Sequence, residues 1–81
     1  MQQYTTEWAK GYLRDHKRSY AIAQDENGEV YTFTKYKKEM KPIDDKNYNV
    51  KYWSGNPQTY VGRMLEHPDG WQNSKVTRED I

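Results

Sequence analysis

The sequence predicts an α+β fold in which an N-terminal helix packs on a small antiparallel β-sheet of three to five strands. Two observations lead to this class. Residues 4–17 carry aromatic side chains at helical spacing, whereas residues 19–36 and 47–53 are rich in strand-forming residues and bounded by turn sequences. We therefore expect one helix followed by strands joined through tight turns.

The predicted helix has one aromatic face. Tyr4, Trp8 and Tyr12 follow one another at intervals of four residues, which places them on the same side of an α-helix. Thr5 or Thr6 can cap the helix, because a threonine oxygen accepts a hydrogen bond from a free N–H of the first turn. The aromatic face is then the side that packs on the sheet.

The segment 19–36 predicts a β-hairpin. Its two halves, "SYAIAQ" and "EVYTFTKY", flank the tetrapeptide "DENG". Asp25 first and Gly28 last are typical of a type I turn closed by a left-handed glycine. A two-residue turn centred on Asn27 and Gly28 is the alternative, and it shifts the register by one residue. We favour the first turn.

A connection and a third strand are expected next. Residues 37–46 contain Pro42, which interrupts a strand ladder, and we interpret them as a connection. Residues 47–53, "NYNVKYW", alternate and predict a strand with Tyr48, Val50 and Tyr52 on one face. If that face is the core side, Trp53 points outward.

The segment 57–66 is ambiguous between helix and strand. Pro57 follows an asparagine, which suits a helix start. The sequence "HPDG" at 67–70 is typical of a hairpin turn that joins a strand near Thr59–Glu66 to another near Trp71–Val76. We favour the hairpin.

A helix followed by five strands resembles the element order of Sm-type and other SH3-like small barrels. The likeness concerns layout alone and implies nothing about RNA binding. The 81 residues leave room for a single small globular domain over 1–81. Residues 77–81, "TREDI", are expected to be frayed.

The composition indicates a folded domain with a thin core built from aromatic rings. Leu, Ile, Val and Phe together supply only ten residues, whereas there are eight tyrosines and three tryptophans. Each buried aromatic side chain removes roughly 150–250 Å² from water and can replace missing aliphatic residues. The net charge of +1 argues against a dedicated duplex-DNA binder or a DNA mimic.

The chain offers few groups for catalysis, and we predict that it is not an enzyme. It has no cysteine, which excludes thiolate chemistry and cysteine-ligated metals and favours the cytoplasm. His67 and Asp69 could form an orienting pair, but turn geometry explains both, and His16 is expected to cap the helix. We predict no metal, cofactor or membrane association.

Surplus aromatic residues are candidates for a protein interface, since interfaces are enriched in tyrosine and tryptophan. The candidate anchors are Trp53, Tyr52, Tyr36 and Trp71.

A cluster of lysines offers a second kind of surface. Lysines pair with phosphates while exposed aromatic rings stack on bases, as single-stranded nucleic acids require. The candidates are Lys35, Lys37, Lys38, Lys41 and Lys51. A solubilised sheet edge explains the same residues.

Binding is therefore the favoured function. The first hypothesis is a protein-binding module that inhibits or adapts a larger protein machine, of the kind found among phage and mobile-element proteins that act on a host. The alternative is a single-stranded nucleic-acid or RNA-binding domain. Self-association remains open.

Overall fold

The computed structural model describes residues 1–35, 40–55 and 57–81, and it confirms the α+β class. The elements are α1 (Thr6–Asp15), β1 (Ala21–Gln24), β2 (Glu29–Phe33), β3 (Pro42–Asp45), β4 (Val50–Trp53), β5 (Gln58–Arg63) and β6 (Val76–Thr77). Short 3-10 helices cover Trp71–Asn73 and Arg78–Asp80.

The helix begins where its sequence predicts. Thr5 is the N-cap, and its side-chain oxygen accepts the N–H of Trp8 at 3.1 Å. Glu7 lies in the first turn and Arg14 in the last, where each charge suits the helix dipole. Helix α1 then buries Ala9 and Leu13 against the sheet.

The hairpin of β1 and β2 has the first of the two predicted turns. Gly28 donates its N–H to Asp25 O at 3.0 Å, and Asp25 donates to Glu29 O at 2.9 Å. Gly28 has φ of +92°, and a Cβ there would lie 2.7 Å from Met64 O. Glycine is therefore required both for conformation and for space.

The strands form a four-stranded antiparallel sheet in the order β5-β2-β1-β6 and a separate two-stranded ribbon, β3–β4. Helix α1 covers one face of the sheet, and the ribbon covers the other. Strand β1 is buried at every position because both faces are covered. The result is three layers.

Two cores lie between these layers. The helix-side core contains Tyr4, Ala9, Leu13, Ile22, Val30, Met64 and Val76. The ribbon-side core contains Ala21, Ala23, Phe33, Met40, Trp53 and Trp71. Gly55 lies against the Phe33 ring. A Cβ on Gly55 would lie 2.7 Å from a carbon of that ring, so the chain after β4 passes directly over the sheet.

Gln24 is a buried polar centre that joins the sheet to the following chain. Its amide donates to Met64 O at 3.0 Å and Leu65 O at 3.1 Å, and its carbonyl accepts His67 N–H at 2.9 Å. The main-chain N–H of Gln24 donates to Ser74 Oγ at 2.9 Å. A fully buried amide is tolerated because these partners satisfy it.

The predicted connection at 37–46 is wrong for its second half. Pro42 starts strand β3, a position where the missing N–H interrupts nothing. The following strand begins later than predicted, because Asn49 has φ of +52° and the Asp45 carboxylate accepts the N–H of Asn47. Tyr48 lies in this turn and not on the strand face.

The strand alternative for 57–66 is confirmed by β5, but the predicted C-terminal hairpin is wrong. His67 and Gly70 do form a turn, with an N–H···O distance of 2.9 Å. The 3-10 helix at Trp71–Asn73 then redirects the chain. Strands β5 and β6 consequently lie at opposite edges of the sheet, and β6 pairs with β1.

The segment 77–81, which the sequence predicts to be frayed, has defined hydrogen bonds. Thr77 and Asp80 form a capping box at the start of a 3-10 helix. The Arg78 guanidinium donates to Leu13 O at 2.8 Å and to Ser19 O at 2.6 Å. It satisfies carbonyls at and beyond the end of α1 and fixes this segment to the helix.

Candidate functional site

Two of the four predicted interface anchors belong to the core. Trp53 and Trp71 are each 4% exposed. The Trp53 indole N–H donates to Trp71 O at 3.1 Å, and the rings meet edge to face with centroids 6.4 Å apart. Trp53 would point outward only if Tyr52 faced the core, and that condition is not met, because the ribbon turns its Trp53 face toward the sheet.

The opposite face of the ribbon carries exposed apolar side chains. Val50 and Tyr52 alternate on β4, and Ile43 lies directly across from Tyr52 on β3. Val50 is 45% exposed and Tyr52 is 37% exposed, whereas Ile43 is half-buried. Tyr48, in the turn that closes the ribbon, is 79% exposed. We call Ile43, Tyr48, Val50 and Tyr52 the ribbon patch.

A groove runs between β4 and the β1–β2 turn. It has a volume of about 280 Å³ and is lined by Asp25, Glu26, Asn27, Asn49, Val50, Lys51 and Tyr52. Asp25 Oδ1 accepts the N–H of Trp53 at 2.9 Å, and Glu26 donates its N–H to Lys51 O at 3.2 Å. These bonds attach the ribbon to the hairpin turn, so the groove has a fixed floor.

Burial raises the pKa of the Asp25 carboxyl, with a further contribution from the charge of Glu29, against the opposing effect of the Trp53 N–H. Glu26 forms an ion pair with Lys51 at 3.2 Å, and this contact raises the pKa of Lys51. The lysine charge is thereby matched within the groove. Asp44, opposite Lys51 on β3, adds another carboxylate.

The lysines of the nucleic-acid hypothesis are placed only in part. Lys35 and Lys41 are exposed, and Lys51 forms an ion pair with Glu26. Lys37 and Lys38, together with the predicted anchor Tyr36, lie outside the described residues.

Both histidines make contacts that help to hold the fold together. His67 is buried, and its Nδ1 accepts the N–H of Asp69 at 3.0 Å. Its Nε2 therefore carries the proton and donates to Thr6 Oγ1 at 2.9 Å. The predicted His–Asp pairing uses the Asp69 main chain and not its carboxylate. His16 stacks on Tyr12 with centroids 3.8 Å apart.

The described part of the chain shows no group of three or more His, Asp or Glu side chains placed to hold a metal ion. Within the same residues, no helix has the length and apolar run needed to cross a bilayer. The arrangement places apolar side chains beside carboxylates on a ribbon that packs on the sheet.

Sequence reasoning found Tyr52 but missed Ile43 and Val50 as surface residues. The alternation of "NYNVKYW" correctly separates Val50 and Tyr52 from Trp53. It does not say which of the two faces meets the sheet. That choice depends on Ala21 and Ala23, whose small side chains leave room for the Trp53 ring in the ribbon-side core.

No protein family model, no curated protein and no solved structure matches this chain.

Proposed function

We propose that this chain is a protein-binding module that attaches to a larger partner through the ribbon patch. The observation that carries the proposal is the exposure of Tyr48, Val50 and Tyr52 on one ribbon, at 79%, 45% and 37%. Aromatic residues supply large contact areas with little loss of side-chain entropy, and they are enriched in the centres of interfaces.

The exposure is selective. Tyr4, Phe33, Trp53 and Trp71 are all buried, so the fold does accommodate large rings in its two cores. The ribbon patch is thus not explained by a lack of interior space. Contiguous apolar side chains at a protein surface are typical of interaction sites.

The surroundings of the patch favour a partner surface that combines apolar and cationic groups. Asp25 and Glu26 line the groove beside Val50 and Tyr52. Asp44 and Asp45 lie on β3 of the same ribbon. A lysine or arginine side chain could place its apolar stem along Tyr52 and its charged end near the Asp25 carboxylate.

The ribbon is rigidly supported, which suits binding by a preformed surface. Its β4 edge is hydrogen-bonded to the hairpin turn through Asp25 and Glu26, and its inner face is fixed by Trp53. A preorganised surface loses little conformational entropy on binding. Occlusion or bridging of a larger protein machine is the action we propose for it, in the cytoplasm, where a cysteine-free chain needs no disulfides.

The test is affinity capture with the tagged chain, performed with and without nuclease. We expect a stoichiometric protein partner that survives nuclease treatment. The double variant Val50→Ser, Tyr52→Ser should lose this partner, because it removes the apolar contact without altering either core.

A matched control is Lys17→Ser, which also changes an exposed side chain but follows α1, the helix that covers the opposite face of the sheet. It should retain the partner. Loss of every partner on nuclease treatment would favour the nucleic-acid alternative, and equal capture by the double variant would contradict binding through the ribbon patch.

A further inference from the structure

Strand β5 leaves one edge of the main sheet without a strand partner among the described residues. It is six residues long, and Gln58, Thr59 and Tyr60 are exposed. Its main-chain groups on that side are a template for pairing with another strand.

The direction of these groups follows from the sheet register. Thr34 donates its N–H to Pro57 O at 3.4 Å, and Thr32 lies opposite Thr59. Hydrogen-bonded pairs alternate along an antiparallel ladder, so Thr59 directs its main chain toward β2. Gln58 and Tyr60 then direct their N–H and C=O groups away from β2, toward the free edge.

The other free edges are protected, whereas that of β5 has a bulge at Val61 but none of the other usual devices between Gln58 and Tyr60. Strand β6 has only two residues, and β3 carries Pro42 and Asp44. Short strands, prolines and charges are the usual devices against edge pairing. From Gln58 to Gly62, β5 has no proline and no charged residue.

We propose that β5 pairs antiparallel with β5 of a second copy of this chain about a two-fold axis. Thr59 lies opposite Thr59 of the second copy, and Gln58 lies opposite Tyr60. In this register the outward N–H and C=O groups of Gln58 and Tyr60 bond to one another across the axis. The two four-stranded sheets then become continuous.

The charge pattern favours a second copy as the occupant. Residues facing one another around the axis are all neutral, so self-pairing brings no like charges together. Arg63, at the far end of β5, lies away from the axis. Tyr60, which is 54% exposed and meets the Tyr31 ring edge to face at 5.5 Å, gains a cross-strand neighbour.

The small contact predicts a weak, concentration-dependent dimer. Sedimentation equilibrium of the full chain should show a mass that rises from 9.8 kDa toward twice that value. The range from about 10 μM to about 1 mM covers affinities expected of such an interface. Thr59→Lys and Thr59→Glu should each weaken self-association about fivefold or more, because two like charges then face one another.

An equimolar mixture of Thr59→Lys and Thr59→Glu should restore association as a mixed dimer, and Thr59→Val should associate like the parent. Thr59 is exposed, so these variants retain the fold, and thermal unfolding verifies it. A chain that stays monomeric throughout the range, or a Thr59→Lys variant that associates as the parent does, would overturn the proposal.

Discussion

The indole N–H of Trp53 donates to the main-chain oxygen of Trp71 at 3.1 Å, and the two rings cross at 84°. This contact attaches one face of the ribbon to the 3-10 helix at Trp71–Asn73. On the other side it leaves Val50 and Tyr52 facing outward. Burial of one tryptophan thus determines which side chains of the ribbon face outward.

Replacement of Trp53 should destabilise the whole fold. We expect Trp53→Ala to lower the free energy of unfolding by about 3–5 kcal/mol, since it leaves a cavity in the ribbon-side core. Trp53→Phe should lower it less, because it retains a ring in the core and Trp71 O keeps its bonds from the Ser74 hydroxyl and N–H. Urea denaturation measures both, and a loss for Trp53→Ala no larger than that for Tyr52→Ala would contradict the assigned orientation.

Loss of the Gln24 amide should be costly although the residue touches no exposed surface. Gln24→Met keeps the volume but removes the partners of Met64 O and His67 N–H, whereas Leu65 O keeps the N–H of Tyr4. We expect the free energy of unfolding to fall by about 2 kcal/mol or more, because buried main-chain groups lose their hydrogen bonds. Gln72→Met, at an exposed position, is the control and should change stability little.

Arg78, although far along the chain, should stabilise the C-terminal end of α1. Arg78→Ala removes charge-assisted bonds to Leu13 O, His16 O and Ser19 O. We expect a loss of about 2 kcal/mol in denaturation experiments. Arg18→Ala carries the same charge change at an exposed site, and an equal effect of the two substitutions would show that charge alone is responsible.

Asp25 should make stability depend on pH. Burial raises the pKa of Asp25 in the folded chain, so folding favours the protonated carboxyl. The contribution of Asp25 to the free energy of unfolding is therefore present at low pH and is lost as pH rises through the folded pKa. Asp25→Asn keeps an oxygen that can accept the Trp53 N–H but carries no charge.

The Asp25→Asn variant should therefore be more stable than the parent near about pH 7, and the difference should shrink below about pH 4, where the carboxyl is protonated in both states. Thermal unfolding at the two pH values measures this. A variant that is less stable at neutral pH would show that the carboxylate charge, through Trp53 N–H, outweighs its desolvation.

The elements that depend on local chemistry were predicted well. Thr5 caps α1, and Asp25 with Gly28 forms the expected turn, because neighbouring residues decide both features. The sequence was less informative about which strands pair with one another. The sequence "HPDG" indicates a turn but does not reveal that Ser74, bonded to Gln24, directs the chain to the far edge of the sheet.

The candidate surface shows the same limit. Alternation in β4 relates Tyr52 to Trp53, but which of them is buried depends on the small alanines of β1 in the ribbon-side core. Strand β3 escaped prediction because Pro42 suggests a break, although a first strand position tolerates proline.

The most direct test of the ribbon patch is hydroxyl-radical footprinting of the captured complex, at chain concentrations below self-association. Tyr48 and Tyr52 should react more slowly in the complex than in the free chain, because the partner covers them. Tyr60, exposed on β5, is the internal control and should react equally in both. Unchanged reactivity of Tyr48 and Tyr52, with protection elsewhere, would contradict the proposed binding surface.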